Sequence, residues 1–274
     1  MATAAGSSVG AATVREGRSV AQFVDRWIFV FMAGLFFLTV MAGFIPDSVG
    51  KIMALRAGLR PPFPAVLHFH AVLMGSWILL LLVQTTLMAT GRSAAHKRLG
   101  LAGLFLAPAI VIVGSFVVPA MFHYNWSLVH SAPPGAPPVP LEVAERFMSS
   151  LVAFQIAAGL QFSVFVAIAL MARRHDVGLH KRLMILATAV PLPAAIDRIA
   201  WLPTTYPQSA LSPVLYTLVW ITPMLAWDLI RHKRLHKAYI IWFAIFIPVV
   251  IVALNLWWTP WWVGTVERMM GVAS

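Results

Sequence analysis

The chain contains no cysteine. Disulfides, thiolate metal sites, iron–sulfur clusters and cysteine nucleophiles are therefore excluded. Charge is scarce as well: Asp, Glu, Lys and Arg make up 11% of the 274 residues, against about 25% in a soluble domain. Acids are the scarcest, nine against 20 bases. The opening stretch "MATAAGSSVGAATVREGRSVAQ" lacks an apolar h-region, so it does not read as a cleaved signal peptide. A flexible cytoplasmic tail over residues 1–25 is expected instead.

What fills the chain is apolar: 60% of the residues are hydrophobic, with a mean hydropathy of +0.84. These residues fall into runs of about 20, the length a helix needs to cross a bilayer core of roughly 30 Å. The expected fold class is all-α. It is a polytopic membrane bundle of seven transmembrane helices forming one domain over residues 26–274. The spans are read at 27–45, 65–89, 99–122, 149–172, 183–202, 211–230 and 238–258. Pro108, Pro191, Pro193, Pro223 and Pro248 lie inside spans, where membranes tolerate them with kinks.

The net charge of +11 follows from topology. The tail and the 2–3, 4–5 and 6–7 turns hold 14 of the 20 bases with four acids, whereas the other side holds six bases and five acids. The positive-inside rule then places the N-terminus in the cytoplasm and the C-terminus outside. Anionic lipid headgroups account for the basic side, and nucleic acid need not be invoked. Aromatic residues agree: "HYNW", Trp201 and "LWWTPWW" all fall on the outer side, where indole rings settle at the interface. The outer segment "HSAPPGAPPVPLEVAER" reads as extended and stiff because of its prolines.

Three basic turns share one plan, with His-Lys opening the next span: "AAHKRLG", "GLHKRLM" and "RLHKAY". Lys and Arg there serve orientation, but orientation does not require His96, His180 and His236. An imidazole at a helix start can simply rest among headgroups. Alternatively, the three converge at one mouth, where they would suit Zn²⁺. Internal duplication of a hairpin is a further cause. Asp228, His232 and His236 lie at i, i+4 and i+8, but the chain must reverse between residues 230 and 238.

The second span, "AVLHFHAVLMGSWILLLLVQTT", places His70, Trp77 and Gln84 seven apart on one face. Polar groups at two depths of that face point into the bundle, since lipid would not accept them. An interhelical hydrogen bond is the plain role for His70. Outer partners are His123, at the end of span three, and Asp197 and Arg198, at the end of span five. His180 and Arg198, 18 residues apart, share a face if that helix is continuous. Gln155 and Gln161 are further intramembrane polar residues.

The run "FHAVLMGSWILLLLVQTTLMATGRSAAHKRLG" followed by "LHKRLMILATAVPLPAAIDRI" resembles an uncharacterised bacterial family of multi-pass membrane proteins, a domain of unknown function. The positions that match are His70, Gln84, His96, Arg98, Gly100, His180, Met184 and Arg198, within residues 64–201. The resemblance implies a bacterial inner-membrane bundle and brings no activity with it.

Three readings stand. One is a redox protein coarsely similar to b-type cytochromes, with haem b held by His70 and His123 outside or His96 and His180 inside. A quinone would be its membrane partner, with Gln84 and Arg198 completing the cofactor-binding residues. No span carries the pair of histidines that two-haem bundles place on one helix. The second is a zinc-dependent lipid hydrolase with His96, His180 and His236 as ligands. It is similar to the progestin/adiponectin-receptor and alkaline-ceramidase superfamily, although span three lacks that superfamily's Asp. The third is a non-catalytic transporter, sensor or assembly factor.

Overall fold

The computed structural model describes the backbone of residues 4–131 and 140–272, and the side chains of those residues from Val20 onward. The proline-rich stretch at 132–139, read above as extended, lies outside the described residues. Among the described residues every regular element is helical: α1 Ala4–Arg56, α2 Ala65–Ala89, α3 Ser93–His130, α4 Leu141–Ala172, α5 Val177–Ala189, α6 Pro193–Ile196, α7 Leu211–His232, α8 Lys237–Leu256 and α9 Pro260–Met269. Seven spans are long and apolar enough to cross a membrane, α5 and α6 together making one. The chain is an all-α, multi-pass membrane helix bundle.

Helix ends depart from the sequence reading in instructive ways. α1 begins at Ala4, where a flexible tail was expected, and continues past "PDSVG" to Arg56. Pro46 removes a single intrahelical donor, which a membrane helix tolerates. The i,i+4 pair Asp47–Lys51, at 2.6 Å, supports the next turn. α3 runs to His130, two turns beyond the expected end. α2 stops where expected: Gly91 takes φ 77°, Arg92 N–H donates to Leu87 O and Gly91 N–H to Met88 O. That is a Schellman stop, whose left-handed position glycine adopts without a Cβ penalty.

The fifth span breaks. Pro191 and Pro193 lack N–H groups, so Val190 N–H donates to Ala187 O and Leu192 N–H to Ala189 O in shortened turns. Leu186 O accepts the indole N–H of Trp242 at 3.0 Å. This broken span is the least apolar of the seven and yet the most buried. It can be less apolar because its neighbours are helices and not lipid. α4 packs on α3, α5 and α8, while α1 and α2 close the other side. Leu183, Ile185, Leu186, Tyr239, Trp242 and Phe165 are fully buried at the centre. The sixth span ends at Lys233, a left-handed cap at φ 54°, where the reversal between residues 230 and 238 was expected.

Candidate functional site

α2 and α3 run antiparallel with their polar positions in register. His70 faces Gly114, where an added Cβ would lie 3.5 Å from His70 Cε1, and Gln84 faces Gly100, where it would lie 3.1 Å from Gln84 Nε2. The spacing of 14 residues is the same on both helices. Between the two contacts sits buried Trp77, whose indole donates to Thr188 Oγ1 at 3.0 Å and meets Phe162 edge-on. The seam is thus divided into one half at the basic face and another around His70. His70 Nδ1, Gln84 Oε1 and His96 Nδ1 are buried and have no hydrogen-bond partner among the described residues. Buried polar atoms are normally paired, so each is a point where a ligand or ordered water fits.

His180 joins the half at the basic face. Its Nδ1 donates to Ala169 O of α4 at 2.8 Å. A carbonyl only accepts, so the ring proton sits on Nδ1 and the Nε2 lone pair remains. His96 lies in the first turn of α3, at the same end of the bundle. Of the two haem pairs considered above, His70 and His123 do not come together. His123 is exposed and lies nine residues beyond Gly114 on α3, about 13.5 Å along the axis at 1.5 Å per residue.

His236 takes another role. Its Nδ1 accepts Ala238 N–H at 3.1 Å as the cap of α8. The lone pair a metal would use is thereby engaged, and the proton sits on Nε2. That nitrogen lies over Gly178, next to Asp176 and Arg182, where a Cβ on Gly178 would come within 3.1 Å of it. Burial first, and then the neighbouring Arg182 guanidinium, hold the imidazole below its ordinary pKa. His236 therefore stays neutral and braces the α5 start. Among the described residues no three His, Asp or Glu side chains gather as a metal-ligand set. The convergence of three histidines at one mouth is not formed.

The basic face holds a network that sequence reasoning passed over. Arg182, counted only as an orienting charge, is 5% exposed, and Asp228 is 4% exposed. Arg182 Nε and Nη2 donate to the two Asp228 oxygens at 2.6 and 2.5 Å. Tyr239 Oη donates to Asp228 Oδ2 at 2.6 Å, and Arg182 Nη1 donates to Gly178 O at 3.1 Å. The network ties α5, α7 and α8 together at the end where His180 is seated. The available signal was Asp228 itself: an acid inside an apolar helix needs a cation.

Asp176 steadies the same end. It accepts Leu179 N–H as the cap of α5 and pairs with Lys237 at 2.5 Å. The Lys237 ammonium first, then the Leu179 amide, hold its carboxyl below the ordinary 3.8. A depressed carboxylate stabilises the fold fully above its ordinary pKa and loses that effect as pH falls through the lower folded value. Lys237→Ala is thus expected to melt below the parent protein at neutral pH. The gap should close in acid; one that persisted at about pH 2 would contradict the assignment.

At the other end, the helix break takes Arg198 off the His180 face. Its Nη1 donates to Asp197 Oδ1 at 3.0 Å, its Nε lies 3.4 Å from Asp47, and its guanidinium covers Phe44 at 4.8 Å. Arg198 belongs to an ion cluster joining α1 to the α6 end, far from the imidazole pair. Gln161 is buried, with a long 3.5 Å contact to Phe246 O, whereas Gln155 is exposed.

The fold and these buried polar sites define a seven-span integral membrane bundle with a histidine-bearing seam. No family model matches the chain, and no curated protein or solved structure is significantly similar to it.

Proposed function

We propose that this protein is a redox protein of the bacterial inner membrane, with His96 and His180 as the imidazole pair for haem b and a quinone as its partner. One observation carries the reading: the Nδ1–H of His180 is fixed on the Ala169 carbonyl, which leaves its Nε2 lone pair for a ligand. Haem in bundles takes axial histidines from facing helices. A ligating histidine also donates its other ring N–H to a backbone carbonyl or carboxylate. His180 has that arrangement and His236 lacks it, which favours haem over a three-histidine zinc site.

Bound haem would supply one-electron transfer. The protein's own part is to hold and orient. Ala169 O sets the His180 tautomer. The Arg182–Asp228–Tyr239 network fixes the start of α5, which carries His180. Gln84 Oε1, buried and without a partner among the described residues, is an acceptor for a quinol hydroxyl. Trp77, a donor only, and its hydrogen bond to Thr188 separate this half of the seam from His70.

The test is a visible spectrum of the purified protein, oxidised and dithionite-reduced, with metal analysis of the same sample. A Soret band with sharp reduced α-bands is expected. His96→Ala and His180→Ala should abolish it, while His123→Ala and His236→Ala should keep it. A colourless protein with stoichiometric zinc would overturn the reading in favour of the lipid hydrolase. A colourless, metal-free protein would leave transport or assembly.

A further inference from the structure

An apolar groove of about 170 Å³ runs between α4 and α8, lined by Ala153, Ile156, Ala157, Leu160, Ala253 and Trp262 among others. Engineered apolar cavities of about 150 Å³ take up a benzene ring, so this groove has room for a segment of hydrocarbon chain. It opens sideways to lipid, because Ile156, Leu160 and Val252 on its walls are exposed on helices that span the membrane.

Two polar groups lie just past the groove, beside Trp262, whose indole donates to Ser149 O. Ser149 continues the Ala153–Ala157 row by one helical turn. Its hydroxyl is fully buried and has no hydrogen-bond partner among the described residues. The indole N–H of Trp258 is likewise buried and without a partner. Neighbouring groups are satisfied: Trp257 donates to Pro207 O, and Trp262 donates to Ser149 O. Trp258 is held at φ 62°, a left-handed conformation that a bulky residue rarely adopts. Its own N–H donates to Ser150 Oγ at 2.9 Å. A conformation of that kind persists only where the surroundings enforce it, and such sites concentrate at ligand clamps.

We infer that the α4–α8 groove, together with Ser149 and Trp258, is a binding site for one membrane glycerolipid, its acyl chain in the groove and an ester carbonyl on the two donors. An indole only donates and a hydroxyl can donate, so the head must present an acceptor oxygen. The depth fits an ester. α8 ends at Leu256 and the tryptophans at 257, 258, 261 and 262 follow. Indoles gather at the membrane–water interface, where glycerolipid ester groups lie. The groove's exposure to the bilayer makes a lipid the occupant at hand.

The full-length protein, delipidated in mild detergent, is titrated with palmitoyl-oleoyl phosphatidylglycerol and read by native mass spectrometry. One tightly held lipid per chain is expected. Ala157→Phe, which fills the groove, should weaken it about tenfold, and Ser149→Ala and Trp258→Phe about threefold to tenfold each. The diether analogue, which lacks ester carbonyls, should bind the unaltered chain more weakly by a similar factor. That comparison needs no variant, so misfolding cannot mask it. Equal binding of ester and ether lipids, undiminished binding to Ala157→Phe, or saturation by decylubiquinone in place of the phospholipid would overturn the assignment. The haem spectrum reads the opposite end of the bundle and is independent of every one of these outcomes.

Discussion

Asp228→Ala is expected to lower stability by about 3–5 kcal/mol, the cost of breaking a buried ion pair by removing one partner. The loss is large because Arg182 is then a buried cation with no anionic partner, left with Gly178 O and the neighbouring Tyr239 hydroxyl. Arg182→Ala should cost a similar amount for the mirror reason. Replacing both with leucine should recover most of the loss, since charge is then neither buried nor unpaired. Tyr239→Phe removes one hydrogen bond to a charged group and should cost about 1.5–3 kcal/mol. Thermal unfolding in detergent, arranged as a double-mutant cycle, measures these values. Single and double variants that lose stability additively would show that the pair is not coupled. Because the network ties α5 to α7 and α8, Asp228→Ala should also loosen His180 and broaden or weaken any haem bands.

Gly43→Leu is expected to prevent α1 from docking. A Cβ at Gly43 would lie 2.1 Å from Ala195 O and 2.9 Å from its carbonyl carbon. Both atoms are backbone, so no side chain can swing aside, and the helices themselves must separate. Overpacking ordinarily costs about 1–3 kcal/mol, and more where the backbone must move. Even Gly43→Ala should fall in or above that range. The same separation would pull Arg198 away from Asp47, now 3.4 Å apart. Gly34→Ala is the control: it has nothing within 4 Å of an added Cβ and should be neutral or slightly stabilising through helix propensity. Melting temperatures and yields of folded protein after membrane extraction decide the matter. A Gly43→Ala variant as stable as Gly34→Ala would mean that α1 and α6 do not approach as described.

The seven spans were legible because the signal is local. Each apolar run must satisfy its own backbone hydrogen bonds in lipid, and a helix does so within one segment. The inward face of α2 was legible for the same reason: His70, Trp77 and Gln84 repeat every seven residues. Boundaries were less legible. Pro46 reads as a stop in sequence but costs one hydrogen bond in a helix otherwise well supported. Pro191 and Pro193 read as kinks, yet two such gaps within three residues ended α5 and turned Arg198 away from His180.

Partnership between distant residues was decided by tertiary structure alone. Arg182 and Asp228 are 46 residues apart in sequence, and nothing near either one names the other. His96, His180 and His236 open their spans alike. Packing fixed the ring of His180 on the Ala169 carbonyl and spent His236 on a helix cap. His70 and His123 lie toward the same end of adjacent helices, but the register set by Gly100 and Gly114 leaves them about two and a half turns apart. Sequence by itself determined which segments are helices and which faces carry polar groups, because periodicity and hydropathy act along the chain. The neighbour that each buried polar group meets depends on how helices cross and where each one breaks, and those are properties of the packed bundle.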